Sequence, residues 1–279
     1  LRFLAAAGAL LQLGVSLTAI AIWLALEKLV GLFWRIWMAA GNRNTGEGLA
    51  FAIGRSAMPI MLMVIAGSLL ALLTNAFSGS WRYPSALPSS WTIQHWANSL
   101  SDLSIPFFNT VLISVSSTLL ALILVVATLE SERQSGKGRS TAMWLLYLPL
   151  LIPQLVFLFG IIVLTEFAGW QANLSLVIVG HLLFVLPYVF LSLYEAYRQL
   201  DPRWTQVAST LGASPLKSFW QIRIPLLLAP CLTSVAIGMA ISISLFLPTQ
   251  LLGAGRITTI TTEAVALTSG ASRNLISVW

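Results

Sequence analysis

Asp201-Pro-Arg-Trp-Thr-Gln-Val-Ala-Ser-Thr-Leu-Gly-Ala-Ser-Pro-Leu-Lys-Ser-Phe-Trp-Gln-Ile-Arg-Ile-Pro225 is the longest polar passage between two apolar runs in the second half of the chain. Its residue order predicts two short helices joined by a hinge. Asp201 is a good N-cap, and Pro202 suits the first helical position because its missing N–H would be orphaned there anyway. Trp204, Val207, Ala208 and Leu211 recur at i, i+3, i+4 and i+7, which makes one apolar stripe. Gly212 falls where a left-handed C-terminal residue belongs, and glycine takes positive φ at least cost. Ser214-Pro215 repeats the cap-plus-proline start. Leu216, Phe219 and Trp220 line one face of the second helix, and Pro225 closes the segment. Such a hairpin of amphipathic helices has two uses: lying on lipid headgroups, or docking into a soluble partner.

The composition sets that hairpin beside a bilayer. The chain is 57% hydrophobic and 9% charged, against about 25% charged residues in soluble domains. Lipid tolerates only segments that satisfy their own backbone, so an all-α, polytopic transmembrane bundle is expected. The single cysteine, Cys231, excludes an internal disulfide and metal clusters built on thiolates. Leu1 is not a start methionine and the last residues enter a new apolar run, so an excerpt of a longer chain is expected. Residues 3–26 are too long and too featureless for a cleaved secretory signal. The formal charge of +6 would suggest nucleic acid in a soluble protein. Here it is better tested against loop sidedness, and no nucleic-acid partner is expected.

Six complete apolar runs are legible, roughly 3–26, 57–77, 107–129, 143–165, 174–194 and 226–252, with a seventh, cut short, starting near 275. Most reach the ~20 residues that span a bilayer. Loop 27–56 holds Lys28, Arg35, Arg43 and Arg55; loop 130–142 holds Arg133, Lys137 and Arg139; loop 195–225 holds Arg198, Arg203, Lys217 and Arg223. The opposite loops hold only Arg82, Arg256 and Arg273, with Arg2 at the outer end of the first run. The positive-inside rule therefore sets residues 201–225 in the cytoplasm.

Gln206-Val207-Ala208, three residues, Gly212, nine residues, then Ile222-Arg223-Ile224-Pro225 resembles the EAA loop of ABC-importer permeases: Glu-Ala-Ala, three residues, Gly, nine residues, Ile-x-Leu-Pro. Val207 and Ile224 depart conservatively, and Gln206 departs in charge. The resemblance extends over roughly residues 56–279. It implies a type I importer core and an ATPase-coupling role for Trp204, Gln206, Val207, Ala208, Leu211, Gly212, Ile222, Ile224 and Pro225. It also implies partners: a dimer of ABC ATPase subunits that hydrolyses ATP, a periplasmic or extracellular solute-binding protein, and a second permease unit, fused or separate. The bacterial inner membrane is the implied location, with no catalytic residue and no cofactor on this chain. A six-helix unit would make residues 1–26 the last helix of a preceding unit, 27–55 a cytoplasmic connector, and 56–279 the permease core with a truncated last helix. Leu247-Pro248-Thr249-Gln250 and the Thr-rich 258–262 resemble the permeases for ferric ion, thiamine, polyamines and oxyanions.

Other signals weigh against rival readings. Ser135-Gly136-Lys137-Gly138 lacks the glycine a phosphate loop needs five residues before Gly136, since Ser131 stands there. The ATP chemistry belongs on another chain. An ion-gradient-driven carrier needs buried acids, and the runs embed little beyond His181, which most often is a bonded packing residue. Two histidines support no Ser-His-Asp set. A non-transporting scaffold remains a rival that would move no solute. Leu29–Ala39, with Phe33, Trp34 and Trp37, reads as an interfacial helix. Residues 78–106, carrying Trp81, Tyr83, Trp91 and Trp96, read as the longest outside loop, either a membrane-interface belt or a contact for a binding protein. Pro149, Pro153 and Pro187 inside apolar runs bend helices, either as packing kinks or beside a translocation path. Ser234, Ser242 and Thr249, eight and seven apart, share one helix face; they either glue helices together or line that path. No metal site is expected.

Sidedness is directly testable. Cysteine replacing Ser135 is expected to react with an impermeant maleimide only from the cytoplasmic side, and cysteine replacing Ser89 only from outside. The reverse pattern would overturn the topology.

Overall fold

The computed structural model describes residues 2–39, 47–79, 85, 87–135 and 140–268. Among these, regular structure is helical, with one isolated antiparallel bridge between Ser78 and Trp91. The chain divides into two compact units, one built on Leu10–Asp102 and the other on Leu103–Val265.

The first of these contains α1 (Arg2–Ala39) from Leu10 onward, and α2 (Glu47–Ala76). Their stretches Leu10–Ala39 and Phe51–Ala76 are apolar enough to cross a membrane, and neither buries its apolar window within the chain. Helices apolar all round belong in lipid or against another membrane helix. The separate interfacial helix expected at 29–39 is absent: α1 runs through Glu27 and Lys28 as one 38-residue helix. No proline or cap interrupts it there, and both charged residues are good helix formers. The glycine-rich polar stretch 41–48 is expected to be a flexible connector; 41–46 lie outside the described residues, and Glu47 and Gly48 belong to the first turn of α2. After α2, Thr92 N–H donates to Phe77 O at 2.8 Å and Gly79 N–H to Ser90 O at 2.9 Å. The Phe77 and Trp96 rings stack at 5.8 Å. Helix α3 (Gln94–Ser135) then begins, so the loop is shorter than the expected 78–106, and Pro106 sits inside a helix. Trp81 and Tyr83 lie outside the described residues.

The second unit is organised on α6 (Leu174–Arg198). Towards its C-terminal end, Val185, Val189, Phe190, Leu193 and Tyr197 pack with Ala121, Val125 and Leu129 of α3 and with Leu227. Towards its N-terminal end, Leu176, Val177 and Phe184 pack with Ile113 of α3, Leu158 and Leu252. Two of the apolar runs are broken. Run 143–165 becomes α4 (Ser140–Leu151) and α5 (Gln154–Phe167). Pro153 does not kink a helix but stands before α5 in an extended conformation, as proline without an N–H favours. Run 226–252 becomes α10 (Leu228–Ser244) and α11 (Leu247–Leu252), preceded by α7 (Arg203–Thr210), α8 (Pro215–Ser218), a π-turn Phe219–Arg223 and α9 (Ile224–Leu226). Leu245 is extended and Pro248 opens α11. The expected single face of Ser234, Ser242 and Thr249 is therefore split between two helices. Helix α12 (Ile260–Thr268) follows; the seventh run lies outside the described residues. Four helices are long and apolar enough to cross a membrane among the described residues, and α10 with its preceding arm makes a fifth, bent candidate.

Helices α3, α6 and α10 approach closely at Gly238. A Cβ there would come within 2.7 Å of Thr118 Cγ2 and 3.0 Å of Val189 Cγ2. Gly238→Ala is expected to destabilise the purified protein by about 1–3 kcal/mol through overpacking. Adding Thr118→Ser, which removes the nearer methyl group, is expected to recover part of it. Thermal unfolding in detergent reads both, and an unchanged midpoint for Gly238→Ala would contradict the close crossing.

Candidate functional site

The coupling-like segment takes its shape from local rules. The Asp201 carboxylate accepts the Arg203 N–H at 2.9 Å, and α7 follows. It ends at Gly212, whose φ is 78°. There Ala213 N–H reaches back to Ala208 O at 2.9 Å and Gly212 N–H to Ser209 O at 3.0 Å, a Schellman closure. Ser214 is extended and its hydroxyl accepts the Lys217 N–H at 3.3 Å, starting α8 with Pro215 in the first turn. The helix then widens into the π-turn Phe219–Arg223. Pro225 accounts for this: it has no N–H for Gln221 O, and its ring would press on that carbonyl in an α-turn. Beyond Leu227, α10 leaves at 70° to Pro215–Leu226.

The apolar stripe divides in two. Trp204 (59% exposed), Val207 (56%) and Leu211 (81%) of α7 point outward, while Leu216 and Trp220, also exposed, line a groove with Ile123 and Val126 of α3 and Leu228 of α10. Ala208 turns the other way and is 5% exposed, so it packs against this chain and is not available to a partner. Gln206 and Pro225 are exposed, while Ile222 and Ile224 are half-buried. A Cβ at Gly212 would meet nothing within 4 Å, so only its backbone conformation constrains that position.

Charged residues that the motif did not single out anchor the segment. Arg223 is 4% exposed and ion-pairs with Glu130 of α3. The Tyr197 hydroxyl of α6 donates to the same carboxylate, as does Gln134 Nε2 at 2.8 Å. Arg133 stands 3.7 Å from it and extends its guanidinium towards the Thr205 hydroxyl of α7 at 3.5 Å. The available signal was Arg223 itself, a guanidinium between two isoleucines, which requires an acid nearby.

The residues considered for a path lie among the helices. Ser234 is fully buried, accepting from Ser192 at 2.8 Å and donating to Pro230 O at 2.8 Å. His181 joins two elements: Nδ1 lies 2.9 Å from Ser242 Oγ and Nε2 2.8 Å from Thr249 Oγ1. Ser242 also meets Ser117 of α3 at 3.1 Å. Pro187 is buried within α6, and Pro153 is half-buried at the α4–α5 break.

Residues 86–276 match the family of binding-protein-dependent transport system inner membrane components. The chain belongs to that family. It is 37% identical over 169 residues to the inner membrane ABC transporter permease protein YnjC of Escherichia coli strain K12, covering 61% of this chain and 32% of that protein. It is 25% identical over 175 residues to a spermidine/putrescine transport system permease protein PotC homolog of Mycoplasma genitalium, covering 61% of each. Against a putative 2-aminoethylphosphonate transport system permease protein PhnV of Salmonella typhimurium, identity is 27% over 180 residues, covering 62% of this chain and 66% of that protein. The chain thus spans from about a third to about two thirds of the length of these relatives. A chain of a bacterial ABC transporter involved in the import of the acidic polysaccharide alginate shares the fold, with a TM-score of 0.56 at 13% identity, over 85% of this chain and 90% of that one. As a family member the chain is a non-enzymatic, multi-pass inner-membrane transport component.

The positive φ at Gly212 is open to test. Gly212→Val is expected to weaken the α7–α8 joint by about 1–2 kcal/mol, the cost of a left-handed residue, and Gly212→Asn by less. Tryptic cleavage at Arg203 and Lys217 in membranes should rise for the valine variant and change little for the asparagine one. Equal cleavage of all three proteins would show that the joint does not depend on this conformation.

Proposed function

We propose that this chain is the permease subunit of a binding-protein-dependent ABC importer, and that residues 201–225 dock into a partner ATPase in the cytoplasm. The observation that carries this reading is the exposed apolar row Trp204, Val207 and Leu211 of α7, held on a segment with fixed caps and turns. Exposed apolar side chains clustered on a rigid polar-rimmed support mark an interaction surface. Gln206 has no charge to offer, so apolar contact dominates the docking. An exposed ion pair contributes only ~0–1 kcal/mol, and its absence is tolerated.

In this mechanism, ATP binding closes a pair of ATPase subunits on partner chains. The segment moves with them, and the broken and proline-bearing helices alternate access to a solute delivered by a binding protein. Pro153, Pro187, Ser234, Ser242 and Thr249 bear on the path through the packing of the helices that form it. A second permease unit completes the path. The Escherichia coli relative, of which the match covers 32%, is long enough to carry two such units, which supports a fused parent with the core at 56–279. The excess of basic residues in loops 27–56, 130–142 and 195–225 supports the cytoplasmic orientation.

Co-purification of the ATPase in detergent tests the joint. Trp204→Ala is expected to release the ATPase, since an aromatic anchor in a groove contributes ~2 kcal/mol or more, whereas Gln206→Glu should change retention little. Strong salt sensitivity together with indifference to Trp204→Ala would show that charge holds the joint, through Arg203 and Lys217.

A further inference from the structure

Arg223 occupies the unspecified position of the Ile-x-Leu-Pro pattern, yet it is among the most constrained side chains of the segment. Its guanidinium is buried against Glu130, a residue 93 positions earlier in the chain. Glu130 collects donors from three elements: Arg223 from the π-turn, Tyr197 from the last turn of α6, and Gln134 from its own helix α3. Arg133, next to it, reaches α7 through Thr205. All of this lies where the segment's arm turns by 70° into α10.

Stability alone does not call for such an arrangement. A buried ion pair is often no more stabilising than well-packed apolar residues of similar volume. What the pair supplies is direction: a multiply bonded carboxylate fixes the positions of the groups that meet on it. We propose that Glu130, with Arg223 and Tyr197, is the pivot that makes the segment and the cytoplasmic ends of α3 and α6 move as one body, so that displacement at α7 reaches the membrane helices instead of being absorbed in the loop. The proposal rests on the coupling reading of residues 201–225. Glu130, Arg223 and Tyr197 are positioning residues in it; they touch neither solute nor nucleotide.

The test uses the complete transporter with its ATPase, with cysteine replacing Ser209 on α7 and Glu195 in the last turn of α6, both exposed, in a Cys231→Ala background. Spin labels at the two sites report their distance without nucleotide and with ATP trapped by vanadate. The parent transporter is expected to show the same distance in both states, because α7 and α6 move together. Glu130→Gln alone leaves Arg223 buried without its charge partner and can fail to insert. The deciding variant is therefore Glu130→Gln with Arg223→Met, which removes both charges. In it the distance is expected to shift between the two nucleotide states while the ATPase stays bound, with a loss of coupling of about tenfold in ATP hydrolysis stimulated by the binding protein, within the range usual for linked sites. Tyr197→Phe, which keeps the ion pair, should give a smaller shift.

An unchanged distance in the double variant overturns the pivot and leaves the coupling reading intact. So does broadening that is equal in both states, the mark of a merely structural role, and so does failure of the double variant to insert. A parent transporter that does not retain its ATPase overturns the coupling reading, and the pivot with it.

Discussion

A guanidinium withdrawn from water must meet an acid, and in this chain that demand ties the ends of several helices together. Removing one partner of a buried ion pair typically costs about 3–5 kcal/mol, because the other charge is left uncompensated. Arg223 can be buried only if Glu130 is brought to it, and Glu130 sits at the end of α3, against Tyr197 of α6. Arg223 is the last residue of the π-turn, and α10 leaves four residues later, beyond Leu227. The exposed apolar side chains of α7 are carried beside that meeting point, to which Arg133 links α7 through Thr205.

Deeper in the bundle, hydroxyls and one imidazole do what charge does at the edge. His181 links α10 to α11 through Ser242 and Thr249, and Ser242 links onward to Ser117 of α3. In hydrocarbon a neutral side chain avoids most of the desolvation cost of an ion, and hydroxyl contacts between membrane helices contribute a modest ~0.6–2 kcal/mol each. The break at Leu245 is the reason one imidazole can span two helices: a continuous helix would have carried Thr249 away along the axis of α10. Close approach at Gly238 completes the crossing, since a backbone without a Cβ lets α3 and α6 reach the same point.

The features legible in the sequence were those decided within a few residues. The Asp201 bond to the Arg203 N–H, the cap at Ser214, the left-handed Gly212 and the short helices between them follow from local hydrogen bonding and sterics, and the structure has each of them, although α7 itself starts at Arg203 with Pro202 before it. The helical class and the membrane setting followed from composition, and the family from motif spacing. What eluded the reading was set by partners distant in the chain. An apolar stripe does not say which edge faces its own protein, so Ala208 could not be separated from Trp204 and Leu211. Glu130 resembled any acid at the end of an apolar run until Arg223 was beside it. Apolar runs also conceal their own interruptions: the breaks before Pro153 and at Leu245 depend on single backbone torsions, which hydropathy averages away.

The 70° turn at Leu227 makes a bell crank of the segment and α10. The short arm, Pro215–Leu226, is about 18 Å long and the long arm, Leu228–Ser244, about 25 Å, at 1.5 Å per residue. With Leu227 packed at 1% exposure and Arg223 of the short arm held on Glu130, the corner and the short arm turn together with the ends of α3 and α6. A rocking of about 10° at that corner, passed rigidly along the longer arm, carries its far end by about 4 Å for the length set by helix rise, close to the diameter of a methyl group. Travel of that size is enough to unseat one side chain from between two helices and to admit another.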